Sequence, residues 1–136
     1  MSRVRARDTG PELKVRRALR KLGLHYRLQA KDLPGKPDIV FRKQRLAVFV
    51  HGCFWHQHKG CVAATIPKTR IEFWRAKLRE NVLRDSRNAT SLRKAGWAVA
   101  VIWGCQTSTE KQLMSFASRV ATRISRLSQT ESESNE

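Results

Sequence analysis

A short apolar run from Leu46 to Val50 leads directly into a loop that is crowded with reactive side chains. The segment from Val48 to Cys61 contains three of the chain's four histidines and two of its three cysteines. Histidine titrates near neutral pH, and together with cysteine it is a common ligand of zinc and related metals. Core packing does not require this composition, so we expect the rest of the fold to present the loop to a partner.

The net charge of the chain indicates the class of that partner. The 136 residues include 28 Lys and Arg against 11 Asp and Glu, which gives a net charge of +17. An excess of this size favours a polyanion, most often nucleic acid, although secreted cationic proteins and ribosomal-type proteins share it. No apolar run approaches the length of a membrane span, and no signal peptide follows the basic N-terminus. We therefore expect a cytoplasmic, nucleoid-associated protein with no membrane partner.

Hydrophobic periodicity predicts helices and strands in the order α-β-β-β-loop-α-β-α. Helices are predicted after the Thr-x-x-Glu capping boxes that begin at Thr9 and Thr69, and a last helix carries apolar residues as far as Leu127. Strands are predicted at 24–28, 39–41, 46–50 and 97–103, the middle two as a hairpin and the last one fully buried. This order predicts an α/β fold in which helices flank one mixed β-sheet.

The length of the chain fits a single domain with its own core. We expect this domain to cover residues 1–127. The remaining residues, 128–136, contain three Glu and no base, and are rich in serine. This composition is typical of a disordered tail.

The three cysteines suggest a metal site, because an odd number without a signal peptide does not indicate a disulfide framework. Cys53, Cys61 and Cys105 together with one loop histidine would make a tetrahedral zinc site. Spacing leaves open whether the histidine is His56 or His58. The alternative is three buried apolar cysteines, which fits poorly because the two in the loop have Gly, His, Lys and Gln as neighbours.

Asp38 stands after Pro37 at the start of a short apolar strand, as the metal-binding aspartate of a magnesium-dependent nuclease would. Phosphodiester hydrolysis needs a hard cation that carboxylate and backbone oxygens hold beside the phosphate. Pro-Asp is also common in turns, so the hypothesis depends on the nearby histidines and on the positive net charge.

The pair Phe54-Trp55 has two interpretations, a place in the core or insertion into a base stack.

Several longer stretches of the sequence resemble the very-short-patch-repair (Vsr-type) DNA mismatch endonucleases of the PD-(D/E)XK nuclease superfamily. They follow one another within residues 3–106: Arg-Asp-Thr-Gly-Pro-Glu (7–12), Leu-Pro-Gly-Lys-Pro-Asp (33–38), Val-Phe-Val-His-Gly-Cys-Phe-Trp-His-Gln-His (48–58), Pro-Lys-Thr-Arg-Ile-Glu-Phe-Trp (67–74), Asn81 to Asp85, and Gly96 to Cys105. The core His-Gly-Cys-Phe-Trp-His is highly specific for this family.

The resemblance implies a restriction-endonuclease-like sheet with a structural zinc site. It also implies a nick 5′ to the thymine of a T·G mismatch in double-stranded DNA, as arises when 5-methylcytosine is deaminated. The implied cofactors are catalytic Mg²⁺ and structural Zn²⁺. The enzyme is expected to be a monomer, with other repair proteins as further partners.

The resemblance also implies roles for individual residues of the cleavage site. Asp38 would hold magnesium together with the main-chain carbonyl of Val50, which stands where the familiar pattern has threonine. His56 would be the catalytic base or would position the water, and Asp85 would orient it.

Two further residues keep alternative interpretations. His51 stands where the superfamily usually has a lysine, but it also fits a structural or phosphate-contacting histidine. Glu12 would be an auxiliary catalytic carboxylate, although its place in a capping box explains it as well.

The remaining implied roles concern zinc and DNA. The implied zinc ligands are Cys53, His58, Cys61 and Cys105. The implied DNA-binding residues are Phe54, Trp55, Trp74 and Lys36, of which the three aromatic side chains would insert beside the mismatch.

Two alternative functions fit the same residues. One is a restriction-type endonuclease that cuts matched DNA on the same scaffold, and the other is a non-catalytic basic zinc module that only binds DNA. Magnesium dependence separates both enzymes from the binding module, and the preference for mismatched or matched DNA separates the two enzymes.

Overall fold

A computed structural model of the protein describes residues 10–134, with side chains described as far as residue 128. The predicted order of elements is confirmed. The elements are α1 (Gly10–Lys21), β1 (Arg27–Leu28), β2 (Ile39–Phe41), β3 (Leu46–His51), α2 (Ile71–Lys94), β4 (Ala98–Trp103), a 3-10 helix (Gly104–Thr107) and α3 (Glu110–Ser134). The fold is α/β with one mixed sheet, as predicted.

The sheet has the strand order β1-β2-β3-β4. Strands β1, β2 and β3 pair antiparallel, and the predicted hairpin of β2 and β3 is confirmed. Strand β4 pairs parallel with β3, which requires a long crossover that α2 provides. Because the two strands are parallel, their last residues, His51 and Trp103, lie side by side.

The two faces of the sheet are covered to different extents. Helices α1 and α3 pack on one face, where Val48 and Ile102 meet Val15 and Phe116 in the larger core cluster. On the other face a smaller cluster, which includes Phe49, packs against Leu92 near the end of α2. The sheet therefore has one fully packed face and one face that α2 covers in part.

The prediction that β4 is fully buried is wrong. Ala100 and Ile102 face the larger core cluster, whereas Val101 is 38% exposed on the opposite face. The cause is the position of α2, which packs on that face only near its C-terminal end. The uncovered part of the face becomes one wall of a cleft.

Two predictions about strand and helix starts also need correction. Strand β1 covers only Arg27–Leu28, the end of the predicted strand 24–28, because its partner β2 is only three residues long and pairs with these two positions. Helix α2 has no Thr69 cap: Arg70 is its N-cap residue, with a φ of 56° and no side-chain hydrogen bond. Thr9, the other predicted cap, lies outside the described residues.

Helix α3 runs to Ser134 and so continues past Leu127, the expected end of the domain. The division into a domain of residues 1–127 and a disordered tail stays a prediction. The segment contains neither Gly nor Pro to end a helix, and Glu and Gln are good helix formers.

Among the helices within residues 10–134, none combines the length and the apolar composition that a membrane span needs.

Candidate active site and metal centre

A cleft of about 1130 Å³ opens between the uncovered face of the sheet and α2. Its apolar wall comes from Phe49, Val99 and Val101 of the sheet and from Val82 of α2. Its polar end lies where β3 ends, because the chain there enters the loop of residues 52–70. The polar residues at that end are Glu12, Lys36, Asp38, His51, His56 and Asp85.

Asp38 lies at the polar end of the cleft and is tied to the neighbouring strand. Its Oδ2 accepts a hydrogen bond of 2.7 Å from the Val50 backbone N–H. Burial raises the pKa of Asp38 from 3.8 to about 6, although the hydrogen bond from Val50 opposes the rise. The nearby Glu12 charge also raises this pKa. A partly buried carboxylate whose charged form is disfavoured gains from a bound cation, so Asp38 fits a magnesium site.

Val50 contributes to the cleft through its main chain. Its side chain packs against the larger core cluster, on the other side of the sheet from α2. The threonine of the family pattern is therefore replaced at a position where a hydroxyl would point towards the core. A role for the Val50 carbonyl does not depend on this side chain.

His51, His56 and Asp85 form a second group beside Asp38, which we call the His–Asp cluster. The rings of His51 and His56 are stacked at 3.9 Å between centroids and are nearly parallel, at 5°. His56 Nδ1 lies 2.6 Å from Asp85 Oδ2. Because a carboxylate accepts, Nδ1 of His56 carries the proton and Nε2 is left as a proton acceptor in the neutral ring.

The second ring of the His–Asp cluster is held neutral. Burial, and to a smaller extent the adjacent His56, lower the pKa of His51 to about 4. Its Nδ1 is buried and has no hydrogen-bond partner within the described chain. A buried nitrogen without a partner is costly, which indicates a position where a ligand completes the hydrogen bonding.

Glu12 reaches the cleft from the first turn of α1. Its side chain is only 3% exposed and lies 3.4 Å from Arg16, one turn further along the helix. A residue that only caps a helix has no need of such burial. The position of Glu12 beside Asp38 is therefore compatible with a catalytic role. Its ion pair with Arg16 is compatible with a structural role as well.

On the far side of the same loop lies the cysteine cluster, which consists of Cys53, His58, Cys61 and Cys105. Their ligand atoms all lie within 4.8 Å of one another. His58 Nδ1 is 3.7 Å from the Cys53 sulfur and 3.4 Å from the Cys105 sulfur. Ideal zinc bond lengths in a tetrahedron give about 3.6 Å between sulfur and nitrogen. The donor set and its spacing therefore fit zinc, and the geometry favours His58 over His56 as the fourth donor.

The local electrostatics agree with a cation in the cysteine cluster. The Cys105 backbone N–H lies 3.4 Å from the Cys53 sulfur, an arrangement that stabilises a thiolate. The Ala63 backbone N–H lowers the pKa of Cys61. Burial, and after it the neighbouring Cys53, raise the pKa of Cys105 to about 11. The Cys53 and Cys61 sulfurs thus oppose ionisation of the Cys105 thiol, and a cation among them would offset that repulsion.

Four aromatic side chains extend from the loop and from the start of α2, and we call them the aromatic cluster. They are Phe54, Trp55, Phe73 and Trp74. Trp55 lies 5.0 Å from Phe54 and 5.9 Å from Trp74 between ring centroids. None of the four rings is buried, and Phe73 is 46% exposed. The interpretation of Phe54-Trp55 as core residues is therefore not supported.

Sequence reasoning missed the residues that hold the loop in place. The Trp103 ring is stacked on His58 at 4.2 Å and meets His51 edge-on at 5.1 Å, so it touches both clusters. The Asn81 side chain donates to the Trp55 carbonyl, and the Gln57 side chain donates to the Phe54 carbonyl. The sequence signals for Trp103 are its place at the end of a predicted strand and its place within the matching stretch Gly96 to Cys105.

Comparison with known proteins identifies the class of enzyme. Residues 1–62 match the family model described as DNA mismatch endonuclease Vsr. The type II nicking enzyme V.XorIIP of Xanthomonas oryzae pv. oryzae is 49% identical over 108 residues, which cover 79% of each chain. The DNA mismatch endonuclease Vsr of Escherichia coli is 40% identical over 113 residues, which cover 83% of this chain and 72% of that relative.

A third relative is a nicking enzyme as well. The type II nicking enzyme V.NmeAIP of Neisseria meningitidis serogroup A is 42% identical over 106 residues, which cover 78% of this chain and 75% of the relative. The protein is a DNA endonuclease, and DNA is its substrate. Within that class it belongs to the Vsr family of DNA mismatch endonucleases.

Proposed function

We propose that the protein nicks duplex DNA 5′ to the thymine of a T·G mismatch, by Mg²⁺-dependent hydrolysis of one phosphodiester bond. The main support for this proposal is that one loop carries both a candidate base and an aromatic pair. That loop holds a proton acceptor, His56, directly after the aromatic pair Phe54-Trp55. An enzyme that must recognise a base pair and cut beside it needs these two groups close together.

In the proposed site, the Asp38 carboxylate and the Val50 main-chain carbonyl would hold Mg²⁺. When bound, the ion neutralises charge on the phosphate and lowers the pKa of a bound water. The partly buried carboxylate of Asp38, with its pKa of about 6, fits this role because a cation would stabilise its charged form.

The His–Asp cluster would handle the proton. His56 accepts a proton from the attacking water on Nε2, while Asp85 holds Nδ1 and stabilises the imidazolium that forms. The water oxygen then bonds to phosphorus as the phosphorus–oxygen bond to the leaving nucleotide breaks. His51 is neutral near pH 7 and would contact the phosphate by a hydrogen bond rather than by charge. Glu12 would act as the auxiliary carboxylate beside Asp38.

The cysteine cluster would hold a structural Zn²⁺ that fixes the loop. All four candidate ligands are protein side chains, as in closed structural sites, so no position is left for a substrate. The ion would fix the positions of His56 and of the aromatic pair relative to the sheet.

The aromatic cluster would supply mismatch recognition. Phe54, Trp55 and Trp74 would insert between base pairs, which is least costly where a mismatch has weakened the stack. Lys36 is exposed at the rim of the cleft and would contact a phosphate. The enzyme would act on one strand as a monomer, which its mass in sedimentation with and without DNA would check.

The decisive experiment is a strand-resolved cleavage assay on a T·G duplex and on the matched T·A duplex. Each duplex is incubated with magnesium or with EDTA, and the ends of both strands are mapped. We expect one nick, only in the mismatched duplex, on the thymine strand and only with magnesium. Equal cutting of both strands in the matched duplex would instead support a restriction-type enzyme.

Two variants test the assigned residues in the same assay. Asp38→Asn should abolish nicking and leave mismatch binding largely intact, so undiminished nicking would refute the assigned magnesium site. Phe54→Ala combined with Trp55→Ala should lower the ratio of mismatched to matched binding. Leu83→Ala is the control, since it also removes an exposed apolar side chain that lies outside the aromatic cluster.

A further inference from the structure

A second cavity, of about 620 Å³, lies outside the cleft. It is formed by the end of α1, by the start of β1 and by the turn between β2 and β3. We call it the basic groove, and it is lined by the charged and aromatic side chains Arg20, His25, Tyr26, Arg27, Arg42 and Lys43. No carboxylate lines it among the residues that the structure describes.

The basic groove opens at the opposite end of the strands from the cleavage site. Asp38 stands just before β2, whereas Arg42 and Lys43 follow the last residue of that strand. Four residues of extended chain place Arg42 about 13 Å from Asp38 along the strand direction. Strand β3 likewise begins beside the groove and ends at His51. The groove is therefore a surface separate from the cleft.

Two of the basic side chains are held by neighbours and shape the groove. Arg42 makes two hydrogen bonds to the Asp32 carboxylate, of 3.1 and 2.6 Å. The Arg20 guanidinium lies over the Tyr26 ring, 5.7 Å from its centroid, and the Tyr26 hydroxyl donates to the Arg16 carbonyl. These contacts fix one wall and leave Arg20 positively charged.

Two other basic side chains, those of Arg27 and Lys43, are exposed and bind nothing in the described part of the chain. Exposed, positively charged side chains without an ion-pair partner repel one another around a concave surface, and a bound anion offsets that repulsion. Because the substrate of this enzyme is itself a polyanion, charge complementarity favours DNA as the occupant.

We propose that the basic groove is a second DNA-binding surface, which holds phosphates of duplex DNA that lies outside the cleavage cleft. Such a contact does not depend on sequence or mismatch, because phosphates carry no base information. It keeps the enzyme on matched DNA while the cleft searches for its target.

The test compares two double variants with the same loss of charge. The groove variant is Arg27→Gln with Lys43→Gln. The control is Arg93→Gln with Lys111→Gln. Both residues have exposed, positively charged side chains, and neither lines a cavity. Affinity for a matched 30-base-pair duplex is measured by fluorescence anisotropy between about 50 and 300 mM salt, without added magnesium. Each lost phosphate contact lowers the slope of log affinity against log salt by about 0.9.

We expect the slope of the groove variant to fall by one to two, and its affinity at 0.1 M salt to fall roughly tenfold or more. The control variant should keep a slope close to that of the wild type. The charge-conserving variant Arg27→Lys with Lys43→Arg should bind like the wild type, which separates loss of charge from damage to the fold. A groove variant that binds like the control would overturn the proposal.

Kinetics provide a second measurement that a folding defect would not imitate. On long DNA the groove variant should show a higher KM and an unchanged kcat, because the cleavage residues are untouched. A lower kcat at an unchanged KM would also overturn the proposal. The binding test uses matched DNA, so its outcome does not depend on whether the enzyme prefers T·G mismatches.

Discussion

His56 and His58 lie two residues apart in one loop, and the structure places them in different chemical surroundings. Each ring is stacked face to face on another, His56 on His51 and His58 on Trp103. The Nδ1 of His56 meets the carboxylate of Asp85, whereas that of His58 meets two cysteine sulfurs. The partner of one ring nitrogen, rather than residue type or stacking, therefore decides what each of these histidines can do.

The loop separates these surroundings by its backbone turns. The His56 N–H donates to the Gly52 carbonyl, and the His58 N–H donates to the Cys53 carbonyl. Gln57, between the two histidines, has a left-handed φ of 48°. The change of backbone direction at Gln57 sends the two rings to opposite sides, one towards the cleft and one towards the cysteines.

Of the variants that separate the two histidines, His56→Ala should have the strongest effect on nicking. Removing the proposed base should lower the nicking rate about 10³-fold, since general base catalysis contributes typically 10²- to 10⁴-fold. The zinc content, measured by mass spectrometry of the native protein, should remain one ion per chain. His25→Ala is the control, because this exposed histidine lies outside both clusters; since it lines the basic groove, all rates are compared at saturating DNA. Loss of zinc from His56→Ala would show that the two histidines are not separated in function.

The reciprocal variant, His58→Ala, should release zinc and lower the free energy of unfolding by about 3 kcal/mol. Structural zinc contributes far more than this in small peptides that have no other core, but here the sheet keeps its own core. Unfolding in urea, with metal content measured in parallel, checks the effect. A protein that retains zinc and its stability after this change would contradict the assignment of the cysteine cluster.

A smaller effect should appear in the pH dependence of stability of metal-free protein. Burial raises the pKa of Asp38 from 3.8 to about 6, so the folded state binds this proton more tightly than the unfolded state. The resulting stabilisation is fully present below pH 3.8 and is lost as the pH rises through about 6. Asp38→Asn removes the titration and should raise stability by about 2 kcal/mol at pH 7.5.

The gain from Asp38→Asn should shrink as the pH is lowered from 7.5 towards 4.5, when both proteins carry an uncharged side chain. Asp32→Asn is the matched control, because the Arg42 side chain lowers the pKa of Asp32 and no gain is expected there. Urea denaturation at several pH values measures both variants. A gain that did not depend on pH would show that the charge of Asp38 is not the cause.

The sequence predicted the element order well, because each run kept one period and Gly96 ended α2 as expected. The sequence did not predict the features that depend on how the elements pack against one another. The exposure of Val101 depends on how much of the sheet α2 covers, and the short β1 depends on the length of its partner strand β2. Neither property follows from local hydrophobicity.

The predicted site residues are brought together, but the sequence could not give their arrangement. Asp38 and Asp85 are 47 positions apart, and no local pattern says that both approach one histidine. The family resemblance supplied that pairing, and spacing alone left His56 and His58 equivalent. Trp103, which contacts residues on both sides of the loop, was read only as a strand residue because its stacking partners come from another segment.

The smallest expected effect comes from Asp85→Asn, which changes the partner of His56 without removing the ring. An amide can still hold Nδ1 but stabilises the imidazolium less, so we expect nicking to slow about tenfold and its acid limb to move to lower pH. Glu80→Gln, an exposed carboxylate on the same helix, is the control. An unchanged pH profile with a lower rate would mean that Asp85 only supports the loop. In that case the difference between the two histidines would come from the stacking rings rather than from the partner of Nδ1.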